Sequence, residues 1–368
     1  MPWPCGLADF VDRLAEHLHA AGVSVTVLTS HPQADRGRLY RVEVMPGSWG
    51  YRHRRRMVGW IREQGYNIVD LQYEAFAFGR RGAPLWLPLQ LLHPRPARVL
   101  TLHSQILPRW GGRLWRLLQM KPYEAIVFYS EVFLTRMAAR FPSRAERYYH
   151  QSFPSNIPVM AAPQLRSLVA RIRAGWPHPD LIVLYFGHIA PRRGLEDLIT
   201  AGQNLAHRGF RPHFVLVSQF DPAADDYHRQ LLYRIAAAGL SERFSFPGRL
   251  PPEQVSYWFH AADVVVLPFP DGASFKNGTL AAALVHGAAI VTTISDISEP
   301  VLRSNDVVAG YQAGDVSALT DRLAELLTDP QRRDGLKKAA AKLGKTLSWE
   351  HYVRRRIEIY HHALERRL

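Results

Sequence analysis

The chain has 368 residues, of which 47% are hydrophobic and 21% charged, a composition typical of a globular protein long enough for two domains. Its single cysteine excludes an internal disulfide and cysteine-based metal clusters and favours a reducing compartment, so we expect a cytoplasmic protein. The net charge of +14 suits an anionic partner, but the sequence lacks zinc-finger spacing, an aromatic RNA-binding motif and a recognition helix, so nucleic acid is not expected.

The first elements of the chain are a helix and a strand that follow a loop at Cys5 and Gly6. Apolar residues recur at helical spacing over residues 9–21, Gly22 ends the helix, and residues 23–29 are rich in β formers. A parallel sheet normally has a strand before such a loop, and none is present here. Either the recorded start lies too late or the chain is defective. We favour a late start and expect upstream codons that encode this strand.

Residues 52–62 combine five arginines with apolar side chains and predict an amphipathic helix. Two interpretations remain open. The helix lies on the domain surface with its arginines solvated, which we favour, or it rests on an anionic membrane. The net charge of the chain is open to the same two interpretations. It reflects either a generic basic surface or a partner that is an anionic lipid or a phosphorylated small molecule.

Three runs of β-forming residues, 67–73, 98–103 and 125–129, predict further strands of the first domain, with an apolar helical stretch at 86–92 between the first two. The middle run ends at His103. A side chain at the carboxyl end of a parallel strand points towards the crevice in which ligands bind. A capping or packing histidine is the alternative.

Strands and helices alternate after a proline-rich region at 150–180, which predicts a second domain with a doubly wound parallel sheet. Two of its strands, 181–186 and 264–270, run into glycine-containing loops that open helices. The first loop carries Arg193 and the second Lys276. Helix N-termini attract anions, so two such loops at the carboxyl ends of parallel strands can hold a diphosphate. Ordinary loops with solvated basic residues are the alternative.

These features together resemble glycosyltransferase family 4, whose GT-B architecture consists of two Rossmann-like α/β domains that face a cleft. The segments that carry the resemblance are Cys5-Gly6-Leu7-Ala8, Thr101-Leu102-His103, Ser155-Asn156-Ile157-Pro158, the loop from Gly187-His188 to Arg193-Gly194, Ser298-Glu299-Pro300 and Ser348-Trp349-Glu350. The resemblance implies an acceptor domain at 1–160, a nucleotide-sugar-binding domain at 161–349, and a C-terminal helix at 350–368 that packs back on the first.

The chain departs from the family's Glu-x7-Glu motif. The two glutamate positions correspond to Ser274 and Ala282, so neither is acidic, and the arginine of the family's Gly-Arg pair is His188. In the family the first glutamate lies by the donor sugar and the second holds the ribose hydroxyls. Arg193 and Lys276 still provide two cationic side chains for a diphosphate. Recognition of the sugar and the ribose must differ from that in the family.

The resemblance implies a retaining glycosyltransferase that moves a sugar from a nucleotide-diphosphate sugar to a lipid-linked or polysaccharide acceptor, with no cofactor. His103 is expected to be catalytic and no residue to bind a metal. Eight residues are expected to bind the donor: Gly6, His188, Arg193, Ser274, Lys276, Asn277, Gly278 and Thr279. The alternative is a catalytically inactive GT-B protein with a binding or regulatory role, which the loss of both glutamates favours.

Overall fold

The computed structural model describes residues 6–30, 38–45, 51–74, 96–103, 120–160, 181–304 and 306–367. The chain divides into two compact units: unit 1 contains residues 1–152 and 349–368, and unit 2 contains residues 153–348. The boundaries between the units lie after residues 152 and 348, slightly before the expected boundaries after residues 160 and 349. The apolar stretch at 86–92 and the linker at 161–180 lie outside the described residues. The strand expected before Pro4 also stays a prediction.

The first run of elements belongs to unit 1. It consists of α1 (Gly6–Ala20), β1 (Thr26–Thr29), β2 (Arg41–Val44), α2 (Tyr51–Gln64), β3 (Ile68–Tyr73), β4 (Ala97–Leu102), β5 (Ala125–Phe128), α3 (Glu131–Arg140), a 3-10 helix (Pro142–Arg147) and β6 (Tyr148–His150). Helix α1 starts earlier than predicted and β1 starts later. Gly22 adopts a φ of +83° and Val23 donates its N–H back to Leu18, so the helix-terminating turn occupies residues that were predicted to open the strand.

The second run forms unit 2 and then returns to unit 1. It consists of β7 (Ile182–Phe186), α4 (Leu195–His207), β8 (His213–Val217), α5 (Asp226–Ala237), a 3-10 helix (Ser241–Arg243), β9 (Phe244–Ser245), α6 (Pro252–Ala261), β10 (Val264–Leu267), α7 (Gly278–Val285), β11 (Ile290–Thr293), α8 (Pro300–Arg303), β12 (Ala309–Tyr311), α9 (Val316–Thr328), α10 (Pro330–Gly344), a 3-10 helix (Lys345–Leu347) and finally α11 (Trp349–Arg367). Of these, α11 lies in unit 1.

All described strand pairs are parallel. Unit 1 has a pair, β1-β2, and a four-stranded sheet in the order β3-β4-β5-β6, and unit 2 has a six-stranded sheet in the order β12-β11-β10-β7-β8-β9. From β7 the chain runs outward through β8 and β9, then returns to the other side of β7 and runs outward through β10, β11 and β12. The order therefore reverses between β7 and β10. The predicted α/β class with parallel sheets is confirmed in both units, and the described strands of unit 2 have the order reversal of a doubly wound sheet.

The central strands of both larger sheets are buried, because helices cover both faces of a parallel sheet. The six residues of β4 and the four of β10 are all buried. Helix α7 packs against α10 at backbone contact, since a Cβ atom built on Gly344 would collide with the carbonyl oxygen of Leu284. The absence of a side chain on Gly344, at the end of α10, allows this approach.

Arg98 and Glu124 form a buried ion pair where β4 and β5 begin. Glu124 Oε1 accepts from Arg98 Nη2 over 2.6 Å, and its Oε2 accepts from the Arg98 backbone N–H over 2.7 Å. The two side chains are 7% and 6% exposed. The pair holds β4 beside β5 in the register that places Val99 opposite Ala125. It thereby fixes where β4 ends, next to His103.

Helix α2 buries its apolar side within unit 1. Three residues on that side are almost fully covered: Met57, Val58 and Ile61. Three basic residues are exposed: Arg55, Arg56 and Arg62. This agrees with the favoured interpretation of a surface helix with solvated arginines, because its apolar side is already packed and is not available to lipid. In the described part of the chain, no helix combines the length and the apolar character that crossing a membrane requires.

Candidate functional site

The reversal of strand order in unit 2 brings two loops to the same edge of the sheet. The β7 loop (residues 187–194) follows β7, and the β10 loop (residues 268–277) follows β10. The two strands are neighbours, with Val264 beside Val183 in the register. Open α/β sheets bind their ligands outside the carboxyl ends of the strands at such a reversal. The candidate site of unit 2 is therefore the space next to these two loops.

The backbone of the β7 loop is held by side chains beneath it. Tyr185 donates its hydroxyl to the carbonyl of His188 over 2.9 Å, and the N–H of Ile189 donates to Ser218 Oγ over 3.3 Å. The buried ring of His228 places Nε2 3.2 Å from the carbonyl oxygen of Ile189. The backbone of the β7 loop is thus held in place by Tyr185, Ser218 and His228.

The polar side chains of the β7 loop point outward. His188, Arg192 and Arg193 are all exposed. No described residue makes an ion pair or a side-chain hydrogen bond with either arginine. Arg192 has a φ of +62°, an uncommon conformation for a residue with a side chain. A strained, rigid loop that presents uncompensated cations is suited to bind an anion.

Gly194 brings the β7 loop into contact with the β10 loop. It caps α4 with a φ of +71°, and a Cβ atom built on it would lie 2.7 Å from both Cβ and the carbonyl oxygen of Pro268. Real Cβ atoms do not approach other atoms this closely, so only glycine fits. The contact sets the distance between the two loops.

The β10 loop is anchored to β11 and to the segment that follows it. Thr293 donates its hydroxyl to the carbonyl of Phe269 over 2.6 Å and accepts the N–H of Ala273 at its own carbonyl over 2.8 Å. The fully buried carboxylate of Glu299 accepts the N–H of Phe275 over 3.0 Å. Glu299 therefore fixes the backbone on which the two neighbouring predicted site residues, Ser274 and Lys276, lie.

Ser274 and Asn277 form a closed turn. Asn277 Oδ1 accepts the N–H of Ser274 over 2.8 Å, and the N–H of Asn277 donates to the carbonyl of Ser274 over 2.9 Å. The hydroxyl of Ser274 is fully buried and has no hydrogen-bond partner among the described residues. Buried polar atoms are nearly always bonded, so this hydroxyl is an exception within the β10 loop.

Helix α7 offers a stronger anion site than α4. The N-cap residue of neither helix makes a side-chain cap, and within the described ranges no side chain accepts from the first N–H groups of either helix. The first turn of α4 carries Glu196 and Asp197, which already complement its dipole. The first turn of α7 has no acidic residue and begins with Gly278 and Thr279, next to half-buried Lys276.

His103 lies in unit 1, directly after β4. Its Nε2 is 2.8 Å from Gln72 Oε1 on β3, and its ring packs against the edge of Phe10 at 5.1 Å between centroids. Burial, assisted by the positive charge of Arg356, lowers the pKa of His103 to about 3. The imidazole is therefore neutral at physiological pH and is suited to hydrogen bonding, not to carrying charge.

The predicted site residues fall into two groups. Unit 1 contains His103 and Gly6, which is the first residue of α1. The other group lies in the two loops of unit 2 and at the start of α7: His188, Arg193, Ser274, Lys276, Asn277, Gly278 and Thr279. Across the described ranges, no cluster of three or more His, Cys, Asp and Glu side chains is placed to hold a metal ion.

Two family models match the chain, one after the other. The family described as "Glycosyltransferase Family 4" matches residues 4–150, and that described as "Glycosyl transferases group 1" matches residues 180–329. The chain belongs to glycosyltransferase family 4. The second match includes both loops of unit 2, and the first ends close to the boundary of unit 1.

Curated relatives of this family 4 chain match it over about half of its length. The D-inositol 3-phosphate glycosyltransferase of Thermomonospora curvata is 27% identical over 52% of the chain and 45% of its own length. The phosphatidyl-myo-inositol mannosyltransferase of Mycobacterium leprae is 28% identical over 54% and 49%. The lipopolysaccharide 1,2-N-acetylglucosaminetransferase of Salmonella typhimurium is 26% identical over 47% and 46%. The chain thus spans less than half the length of the curated relatives it matches.

Solved glycosyltransferases share the fold over almost the whole chain. A glycosyltransferase from Rickettsia africae has a TM-score of 0.79 at 13% identity, and the alignment covers 98% of this chain and 95% of that one. HepE of Anabaena, solved in complex with UDP, has a TM-score of 0.75 at 16% identity over 97% and 96%. The predicted GT-B fold is confirmed by this likeness.

The position of the family's ribose-binding glutamate lies in the core of unit 2. Ala282 is fully buried, and its carbonyl oxygen is 2.7 Å from Nδ1 of His286. Helix α7 is here in close contact with α10. This family 4 chain therefore has neither the carboxylate nor the space for it at this position.

We expect Ala282→Glu to destabilise unit 2 and not to tighten nucleotide binding. A buried, unpaired carboxylate in a packed helix contact costs about 3 kcal/mol or more. Thermal unfolding and titration with UDP measure the two effects. Ala236→Glu, on an exposed face of α5, is the control and should change the unfolding temperature little. A tenfold gain in UDP affinity for Ala282→Glu would show that the ribose pocket is intact.

Two residues that hold the site were not predicted from the sequence. His228 anchors the β7 loop from α5, the second helix after that loop, and Pro268 contacts Gly194. Neither residue belongs to a sequence motif that would indicate this role. Glu299 belongs to Ser298-Glu299-Pro300, one of the segments that carry the family resemblance. Its buried hydrogen bond to the β10 loop gives this segment a structural role.

Proposed function

We propose that the chain is a retaining glycosyltransferase that transfers a hexosyl group from a nucleotide-diphosphate sugar. One observation carries the proposal: at the strand reversal of unit 2, two mutually packed loops present Arg193 and Lys276 beside the uncapped start of α7, and no side chain in the described part of the chain pairs with either cation. Cations and backbone N–H groups in this arrangement suit a diphosphate. Retention of configuration rests on family membership alone.

A UDP-sugar is the first donor to test. HepE, which shares the fold, was solved with UDP and with UDP-glucose. The names of the curated relatives describe inositol-containing and lipopolysaccharide acceptors. We therefore propose a lipid-linked or polysaccharide acceptor. A peripheral contact with anionic membrane would involve only the exposed arginines of α2, because the apolar side of that helix is packed.

The residues of unit 2 would stabilise the leaving group. As the bond between the anomeric carbon and the diphosphate oxygen breaks, the electron pair moves to that oxygen, and the acceptor oxygen bonds to the carbon. The acceptor proton passes to the departing diphosphate. Arg193, Lys276 and the N–H groups of α7 would offset the developing negative charge. No metal is expected in this scheme, so activity should persist in EDTA.

A catalytically inactive GT-B protein with a binding role is the second candidate. Ser274 and Ala282 replace both motif glutamates, and Ala282 cannot contact a ligand from within the core. Such a protein would keep the diphosphate site and lose transfer. Binding alone therefore does not separate the two candidates.

A donor-hydrolysis assay separates them. The full chain is incubated with a panel of UDP- and GDP-sugars, and the release of free sugar is followed by NMR, which also reports the anomer formed first. We expect release of the retained anomer from at least one donor, and its loss in Lys276→Ala. Binding of UDP without any release from the panel, with and without lipid extracts as acceptor, would favour the inactive candidate.

A further inference from the structure

A chain of hydrogen bonds connects the C-terminal helix to His103. Arg356 of α11 is fully buried and donates through Nη1 to Thr101 Oγ1 over 2.7 Å and to Asp70 Oδ2 over 3.2 Å. Gln72 Nε2 donates to Thr101 Oγ1 over 3.2 Å. Gln72 Oε1 then meets Nε2 of His103 at 2.8 Å. The network joins α11 to β3 and β4 at the predicted catalytic residue.

The direction of each bond follows from what each group can donate. The carboxylate of Asp70 only accepts, so Thr101 donates its hydroxyl hydrogen to Asp70 Oδ1, 3.2 Å away. The oxygen of Thr101 is then left to accept from Arg356 and from the amide nitrogen of Gln72. This orients the carbonyl of Gln72 towards His103. A carbonyl only accepts, so the proton of the imidazole is on Nε2.

We propose that Arg356, Thr101 and Gln72 are positioning residues that hold His103 as its Nε2–H tautomer. Nδ1 of His103 then bears a lone pair and acts as a hydrogen-bond acceptor. In the proposed transfer reaction, this atom would accept a hydrogen bond and could not donate one. This last step rests on the proposed function, whereas the tautomer itself does not.

The charge around His103 favours the neutral ring over a wide pH range. Arg356 on α11 lowers its pKa in addition to burial, giving a value of about 3. Two other titratable groups pack nearby: Tyr129, directly after β5, with its ring centroid at 5.0 Å, and Tyr352 of α11, which is bonded to Tyr129. Burial raises the pKa of both hydroxyls, so they are neutral. Asp70 is compensated by Arg356. We expect no titration of His103 between about pH 5 and pH 9.

Histidine nitrogen NMR tests the inference without any substrate. The full chain is labelled with 15N-histidine, and the His103 signals are assigned by their loss in His103→Gln. We expect the Nε2–H pattern, unchanged from pH 5 to pH 9. In Thr101→Val, which keeps the shape and removes the hydroxyl, the Nδ1–H tautomer should become populated to about a tenth or more. Thr101→Ser is the matched control and should retain the wild-type spectrum.

Several results would overturn the inference. A wild-type Nδ1–H pattern or a charged ring at pH 7 would contradict it directly. So would identical spectra for Thr101→Val and Thr101→Ser. If Thr101→Val does not fold, Gln72→Met replaces it as the test variant, because Gln72 is only half-buried. This variant should also populate the Nδ1–H form. Agreement of these spectra in a protein that hydrolyses no donor would keep the tautomer assignment and remove only its role in transfer.

Discussion

Gly194→Ala should abolish measurable binding of nucleotide diphosphates and destabilise unit 2 by about 2–5 kcal/mol. The left-handed conformation at a φ of +71° costs an alanine about 1–2 kcal/mol. The new Cβ would also lie 2.7 Å from Pro268, and relieving this overlap costs about 1–3 kcal/mol more. Either the β7 loop or the β10 loop must move. Urea unfolding and titration with UDP measure the two losses.

Gly239 provides a matched control for this substitution. Its φ is +70°, almost the same as that of Gly194, but a Cβ atom built on it meets nothing within 4 Å. Gly239→Ala should therefore lose about 1–2 kcal/mol of stability and no affinity for UDP. The difference between the two variants isolates the loop contact. Equal effects of both on stability and binding would mean that the packing of Gly194 against Pro268 does not shape the site.

Glu124→Ala should destabilise unit 1 by about 3–5 kcal/mol, because it leaves the guanidinium of Arg98 buried without its carboxylate. It also removes the acceptor of the Arg98 N–H, which lies 2.7 Å from Glu124 Oε2. Chemical unfolding followed by tryptophan fluorescence measures the loss. The effect should be confined to unit 1, so UDP binding, assigned to unit 2, should persist at temperatures where the variant is folded.

The double variant Arg98→Met with Glu124→Leu is the control for this prediction. Replacing both members of a buried pair by apolar residues of similar size is often close to neutral. The double variant should therefore recover most of the stability that Glu124→Ala loses. If it is as unstable as the single variant, the destabilisation comes from packing and not from an unpaired charge.

Much of the fold was predictable because it depends on local pattern. The apolar runs at 181–186 and 264–270 are short, rich in β formers and bounded by glycine or proline, and both are buried strands. The helix ends were less predictable. Gly22 ends α1, but the turn extends through Val23, so the strand begins later than its β formers suggested.

The candidate site was predictable only where the residues of a loop indicate its function. Arg193 and Lys276 were predicted because they lie in glycine-containing loops that follow predicted strands. The residues that fix these loops are distant in sequence and have no motif: His228 lies on α5, and Glu299 follows β11. Likewise the bonds that Arg356 donates to Thr101 and Asp70 bridge more than two hundred residues of sequence, and no periodicity in the sequence reports such a pairing.

Comparing UDP, UMP and uridine as ligands tests the central claim, that Arg193, Lys276 and the start of α7 bind a diphosphate. Calorimetric titrations would use the wild type, Arg193→Ala and Lys276→Ala. Arg211→Ala is the charge-matched control, since exposed Arg211 precedes β8 at the opposite edge of the sheet. We expect each site variant to lose about tenfold or more in UDP affinity, or roughly 1.5–3 kcal/mol, with little change for uridine and none in the control. Equal losses for UDP and uridine, or no loss in either site variant, would contradict the account.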